Sequence, residues 1–193
     1  MKTSDWIVKQ ASSQVNKGVY WYACYGSKAS KDLYSYKKKQ YPQKYPPNNG
    51  YTEASYTSQY GRRAMDCSGL YKYCLWTDTI DGDPKYNSEQ DLSANGFIEK
   101  GCSEVGSIST LPEIPGLVLW KEGHLGIYIG NGYAIESRSH QYGVVKTKVS
   151  DRGWQKWGKC KWVTYPTAYT YTAEQAMDDI KKVVDKYYAN SNR

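Results

Sequence analysis

The stretch Gly123-His124-Leu125-Gly126-Ile127-Tyr128-Ile129-Gly130 alternates strictly: Leu125, Ile127 and Ile129 fall on one side, His124, Gly126 and Tyr128 on the other. A period of two over this length specifies a strand with one apolar face and one mixed face. Asn131-Gly132 then gives a turn, and Tyr133-Ala134-Ile135-Glu136-Ser137 gives a return strand. Loop length decides which residues share a face. A two-residue turn puts Glu136 on the face opposite His124. A three-residue loop over Gly130-Asn131-Gly132 with a glycine bulge shifts the pairing by one and makes Glu136 a diagonal neighbour of His124. The small residues Gly126 and Ala134 favour the second register. Gly126 is expected to leave room for another element beside His124.

A candidate for that element lies upstream. In Cys67-Ser-Gly-Leu-Tyr-Lys-Tyr-Cys-Leu-Trp76, Cys67, Leu70, Tyr71, Cys74 and Leu75 fall on one helical face. A cysteine at a helix start meets unpaired backbone N–H groups and the positive end of the helix dipole, which favour thiolate. The same N–H groups can hold an oxyanion. Ser68 and Gly69 are small enough to let another segment approach. A thiol nucleophile needs a base. Of the two histidines His124 stands on the alternating strand, and Glu136 and His140 are the candidates to orient its ring, with Arg138 and His140 also placed to modify the acid. Taken singly, such a cysteine or histidine is more often structural; together, followed by an acid on the next strand, they favour a Cys67–His124–Glu136 site. Cys24, Cys74, Cys102 and Cys160 read as small buried hydrophobes. No CxxC occurs and histidines are few, so no metal site is expected.

Around these elements, residues 4–17 read as a helix capped by Ser4 or Asp5 and stopped by Gly18. Residues 19–24 read as an extended aromatic segment and 88–94 as a short helix capped by Ser88. Further strands are expected at 117–120, 143–149 and about 160–164. Helices followed by consecutive strands indicate α+β with an antiparallel sheet. The capping box Thr172-Ala-Glu-Gln175 opens a C-terminal amphipathic helix, so the division is a domain over 1–168 and a docked or connecting helix over 169–193. Apolar residues are only 39% of the 193, but 21 Tyr and 7 Trp supply burial that the aliphatic count would not.

Residues 28–45 carry six Lys against one Asp within a net charge of +7. The region from Gly26 to Gly61 is read as a solvated, partly mobile loop. Stacking on single-stranded nucleic acid and a basic rim for an anionic polymer are the other readings.

The residues carrying the chemistry resemble a known family. Asp66-Cys67-Ser68-Gly69-Leu70, Pro115-Gly116-Leu117-Val118-Leu119-Trp120 and Gly123–Gly132 are similar to the NlpC-type cell-wall peptidases, papain-like cysteine hydrolases of bacterial peptidoglycan. The stretch from Ser93-Ala94-Asn95-Gly96 to Trp157-Gly158-Lys159 is similar in particular to catalytic domains of clostridial phage endolysins. The resemblance covers roughly residues 4–164. It implies a papain-like α+β fold with the nucleophile-bearing helix packed on the sheet. It implies Cys67 as nucleophile, His124 as base and Glu136 in the third position, where many members have His, Asn or Gln. Tyr20, Asp66 and Ser68 are implied at the substrate and oxyanion side, with Ala23 where the family more often has Gly. The activity implied is cleavage of stem peptides between γ-D-glutamate and the diamino acid, with no cofactor. The free carboxylates of that substrate would suit a groove made basic by Arg62, Arg63 and the Lys-rich region.

The alternatives are an N-acetylmuramoyl-L-alanine amidase with the same triad, an inactive wall-binding homologue and, more remotely, a nucleic-acid binder. No apolar run approaches the roughly 20 residues of a membrane span. The opening residues lack the apolar core of a secretory signal. The expectation is a monomer made in the bacterial cytoplasm that meets peptidoglycan after release by lysis or another export route.

Overall fold

The computed structural model describes residues 1–46 and 50–166, together with residues 177, 180 and 181. In chain order the elements are β1 (Lys2–Thr3), α1 (Ser4–Gln14), β2 (Tyr25–Lys28), α2 (Lys31–Gln40), α3 (Glu53–Thr57), β3 (Arg63–Met65), α4 (Cys67–Trp76) and the single turn α5 (Ala94–Gly96). There follow β4 (Cys102–Ser107), β5 (Val118–Lys121), β6 (His124–Gly130), β7 (Tyr133–Ser137), β8 (Val144–Lys148), β9 (Lys156–Cys160) and β10 (Val163–Thr164). The class is α+β, with a six-stranded antiparallel sheet in the order β4-β9-β5-β6-β7-β8. No described helix is long and apolar enough to cross a membrane.

The alternation in β6 sorts residues as read. Leu125 and Ile127 join Val118, Ile135, Leu70 and Cys74 in the core between the sheet and α4. Tyr128 joins Leu117, Leu119, Ala134, Trp154 and Trp157 on the other face. Each such Leu or Ile contributes about 1.5–3 kcal/mol through burial. In the β6–β7 hairpin Ile127 pairs with Ile135 and Tyr128 with Ala134, and the register shifts between Tyr128 and Gly130. This is the bulged register, and it puts Glu136 on the same face as His124.

Several elements depart from the sequence reading. The first helix stops at Gln14, and its N-cap is Thr3, whose Oγ1 accepts from the Trp6 N–H at 3.2 Å. The chain leaves the helix early because Asn16 and Gly18 bond to the edge residue Val144. Residues 88–94 are not one helix: Asn87 caps a 3-10 turn over Ser88–Gln90, and Ser93 caps the separate turn α5. The strand expected near 160–164 is two, one inside the sheet and one pairing parallel with β1. The edge strand β4, mostly exposed, carries no apolar alternation to reveal it.

The largest correction concerns residues 26–61. The described residues among them do not form a solvated loop but fold into β2, α2 and α3, with Tyr34, Tyr45 and Tyr56 packed on Trp21 of the preceding segment, all at most 2% exposed. Ser30 caps α2 by accepting from the Leu33 N–H, and Tyr34 and Lys37 form its buried side. The Lys run lies mostly on the outer face of that helix and masks it in composition. The C-terminal helix and the boundary at 168 lie outside the described residues, except that Met177, Ile180 and Lys181 are helical and exposed.

Candidate active site

Cys67 is the first residue of α4, as its sequence context implies, and Asp66 is the N-cap. Asp66 Oδ1 accepts from the Gly69 N–H at 2.6 Å and from Ser68 Oγ at 3.1 Å, while Oδ2 accepts from the Ala23 N–H at 3.0 Å. This carboxylate therefore fixes both the start of the helix and the segment that crosses it. The crossing is close: a Cβ on Gly69 would stand 1.9 Å from the Cys24 carbonyl oxygen, so only glycine fits. Ala23, where glycine would be at ease, takes φ +55° to make this turn. Tyr20, half-buried on the same segment, packs edge-on against His140 at 5.2 Å between ring centres.

The ionisation of Cys67 runs against the sequence expectation. Burial is the largest effect and Asp66 the next, and together they push the thiol up to about 11. The backbone N–H groups of Leu125, Ser68 and Cys67 pull the other way and lose. The helix start is in place, but desolvation of the charged sulfur outweighs it. At rest the thiol is neutral, and it points at the Gly123 carbonyl oxygen, 3.9 Å away.

His124 belongs to a different cluster. Its Nε2 lies 2.7 Å from Oε2 of Glu136, which is fully buried. Glu136 also accepts from Thr147 Oγ1 at 2.8 Å and from Arg152 Nε and Nη2 at 2.5 and 2.9 Å. Burial alone would raise this acid, but bonds to His124, Arg152 and Thr147 overcome it and hold the carboxyl down to about 2. It is an anion that locks the imidazole through Nε2 and leaves Nδ1 for proton exchange. The imidazole stacks on Trp154, ring centres 5.5 Å apart and planes 12° from parallel. Here the role read for Gly126 needs correcting. The space it leaves is filled by the Trp154 indole, which a Cβ there would approach to 2.7 Å, whereas α4 packs on the opposite face.

Tyr20, Asp66, Cys67 and Ser68 thus line one cavity of about 710 Å³, whose wall continues to Asn95 and Gly123. His124 and Glu136 do not line it, and the thiol bonds to the Gly123 carbonyl rather than to the imidazole. Asn95 Oδ1 accepts from the Gly123 N–H at 2.9 Å and from Trp120 Nε1 at 3.1 Å, and so sets the turn that delivers His124. Asn95, Thr147, Arg152 and Trp154 were not singled out by sequence. The string Asp151-Arg152-Gly153 has the composition of a turn, but nothing local to it encodes its placement beside Glu136. His140 and Arg138 do not touch the acid: His140 Nε2 lies 3.2 Å from Tyr56 Oη, and Arg138 covers the Tyr142 ring. Arg62 and Arg63 face away from the cavity. Arg63 is buried against Asp81 and Asp83, and the Arg62 guanidinium donates to the Lys17 carbonyl. All five cysteines are free thiols, with Cys24, Cys74 and Cys160 buried and Cys102 partly so. Among the described residues no three His, Cys, Asp or Glu side chains gather as a metal site.

No protein-family model and no curated protein matches the chain. Among solved structures it is similar to NlpC2 from Trichomonas vaginalis, with a TM-score of 0.47 and 13% identity over 82% of this chain and 47% of that one. This chain therefore spans about half of that relative's length. It is also similar to the P60 domain of an antigen from M. avium subspecies paratuberculosis, with a TM-score of 0.44 and 17% identity over 81% of this chain and 93% of that one. The NlpC/p60 domain of the peptidoglycan hydrolase SagA gives a TM-score of 0.42 and 16% identity over 81% and 98% of the two chains.

Proposed function

We propose that this chain is an NlpC-type, papain-like cysteine hydrolase of bacterial peptidoglycan, a wall lysin that cuts stem peptides at the γ-D-glutamyl–diamino acid bond. The family and the bond come from the resemblance of the Asp66–Leu70 and Gly123–Gly132 motifs. The observation that carries the chemistry is the pairing of two prepared groups across one backbone turn: a thiol at the helix start touching Gly123, and an imidazole at residue 124 held by a buried carboxylate.

In this reading the substrate enters the cavity and displaces water from the Cys67 thiol. His124 takes the thiol proton on Nδ1 as the sulfur attacks the scissile carbonyl carbon, with Glu136 stabilising the imidazolium through Nε2. The approach of thiol and imidazole tightens in the substrate complex, as catalytic hydrogen bonds commonly do. Backbone N–H groups at Cys67 and Ser68 face the developing charge and hold the oxyanion. His124 then protonates the leaving amine, the C–N bond breaks, and a thioester remains. Water, deprotonated by His124, attacks the thioester carbonyl and releases the acid and the free thiol.

Cys67→Ala and Cys67→Ser are expected to abolish clearing of purified walls while the circular dichroism spectrum stays that of the wild type. Full clearing by either variant would overturn the proposal. Mass spectrometry of fragments released by the wild type is expected to show new N-termini on the diamino acid. New N-termini on L-alanine would instead indicate the amidase.

A further inference from the structure

The cavity beside Cys67 is lined by four charged side chains, Lys37, Asp66, Lys72 and Asp91, and three of them are satisfied within the protein. Lys72 Nζ donates to Asp91 Oδ1 at 2.7 Å, and Asp91 Oδ2 accepts from Tyr86 Oη at 3.1 Å. Asp66 is occupied by the three donors at the helix start. Lys37 is the exception. It is only 8% exposed, yet among the described residues no carboxylate lies within ion-pair distance of it. Its nearest acceptor is the neutral Gln40 Oε1 at 3.5 Å, and the rings of Tyr36 and Tyr41 lie 5.5 and 5.7 Å from Nζ. A buried ammonium without an anion is costly and is usually paired. Here the unpaired cation forms part of the wall of an open cleft, with the two aromatic rings beside it.

We infer that Lys37 is a specificity-determining residue that binds a free carboxylate of the substrate, with the Tyr36 and Tyr41 rings bounding the subsite. The inference deepens the hydrolase reading of the cleft and rests on it for the identity of the substrate. It narrows the basic surface expected from sequence to one residue, since Arg62 and Arg63 are turned elsewhere. The ligand class is a peptide bearing a carboxylate displaced along the cleft from the scissile bond. An amidated stem peptide offers no anion at that point and forgoes a charge-assisted hydrogen bond.

The test is a binding cycle in the inactive Cys67→Ala background, so that it does not depend on turnover. The probes are the tripeptide L-alanyl-γ-D-glutamyl-L-lysine, the same peptide amidated at the glutamate α-carboxylate, and the same peptide amidated at the C-terminus, each measured by calorimetry. One amidation is expected to weaken binding by about ten- to a hundredfold. That preference is expected to fall to within about twofold when Lys37→Met, which keeps the packed stem, is added. Lys37→Arg is expected to restore part of it, which a packing defect alone would not. Equal binding of all three peptides to Cys67→Ala, or an unchanged preference after Lys37→Met, would overturn the inference. Wall clearing by the wild type with no carboxylate preference would sink the Lys37 assignment and leave the hydrolase standing. A carboxylate preference lost with Lys37 in a protein that never clears walls would do the reverse.

Discussion

The thiol and the imidazole of this site are prepared in opposite ways. On the sheet side the acid is fully partnered: Glu136 is buried and held anionic by His124, Arg152 and Thr147, and His124 is clamped against Trp154. On the helix side Cys67 is pushed up to about 11, with Asp66 adding to the effect of burial. Tyr20, on the same wall, is also pushed up by burial, and among the described residues Lys37 has no carboxylate partner. The difference locates the reactivity. The base is ready before substrate arrives, and the nucleophile becomes one only when its proton has somewhere to go. Burial also keeps the resting sulfur in the form least prone to adventitious oxidation.

The comparison breaks first on the sheet side. His124→Ala is expected to lower kcat for wall clearing at least about a thousandfold, because nothing else there can accept the thiol proton. Glu136→Gln is expected to cost less, about ten- to a hundredfold, since an amide can still orient the ring but cannot stabilise its charged form. Equal losses would mean that the acid does more than position and stabilise the imidazole.

A smaller effect separates the two sides by pH. His140, packed among Tyr20, Tyr51 and Tyr56, is lowered by burial to about 4 from an ordinary 6.5. In the unfolded chain it takes a proton near 6.5, but in the fold only near 4. Stability present above pH 6.5 is therefore lost as pH falls toward 4. Glu136, lowered to about 2 from 4.5, contributes stability that is complete above 4.5 and lost as pH falls toward 2. Thermal melts are expected to show the helix side softening first, a fall of about 2–4 °C between pH 6.5 and 4. His140→Gln is expected to remove that step, and Glu136→Gln to remove only the one below it.

How far the site could be read from sequence follows the range of the interactions. The helix headed by Cys67, the strand carrying His124 and the bulged register that brings in Glu136 are each set within about ten residues, by periodicity and turn chemistry. Arg152 and Trp154 reach the site because β9 inserts between β4 and β5, a strand order that no local pattern encodes. The fold of residues 26–61 was hidden for another reason. Its core is made of tyrosines, which composition counts with the polar surface as readily as with the interior. The ionisation of Cys67 is not legible in sequence, because the helix dipole is visible there while the depth of burial that outweighs it is not.

The most direct test of the account is alkylation of the free protein by iodoacetamide across pH, with peptide mapping of all five cysteines alongside wall clearing. The adduct is expected on Cys67, at a rate still climbing above pH 9, with clearing falling in step with its occupancy. Clearing that survives stoichiometric modification of Cys67 would contradict the account.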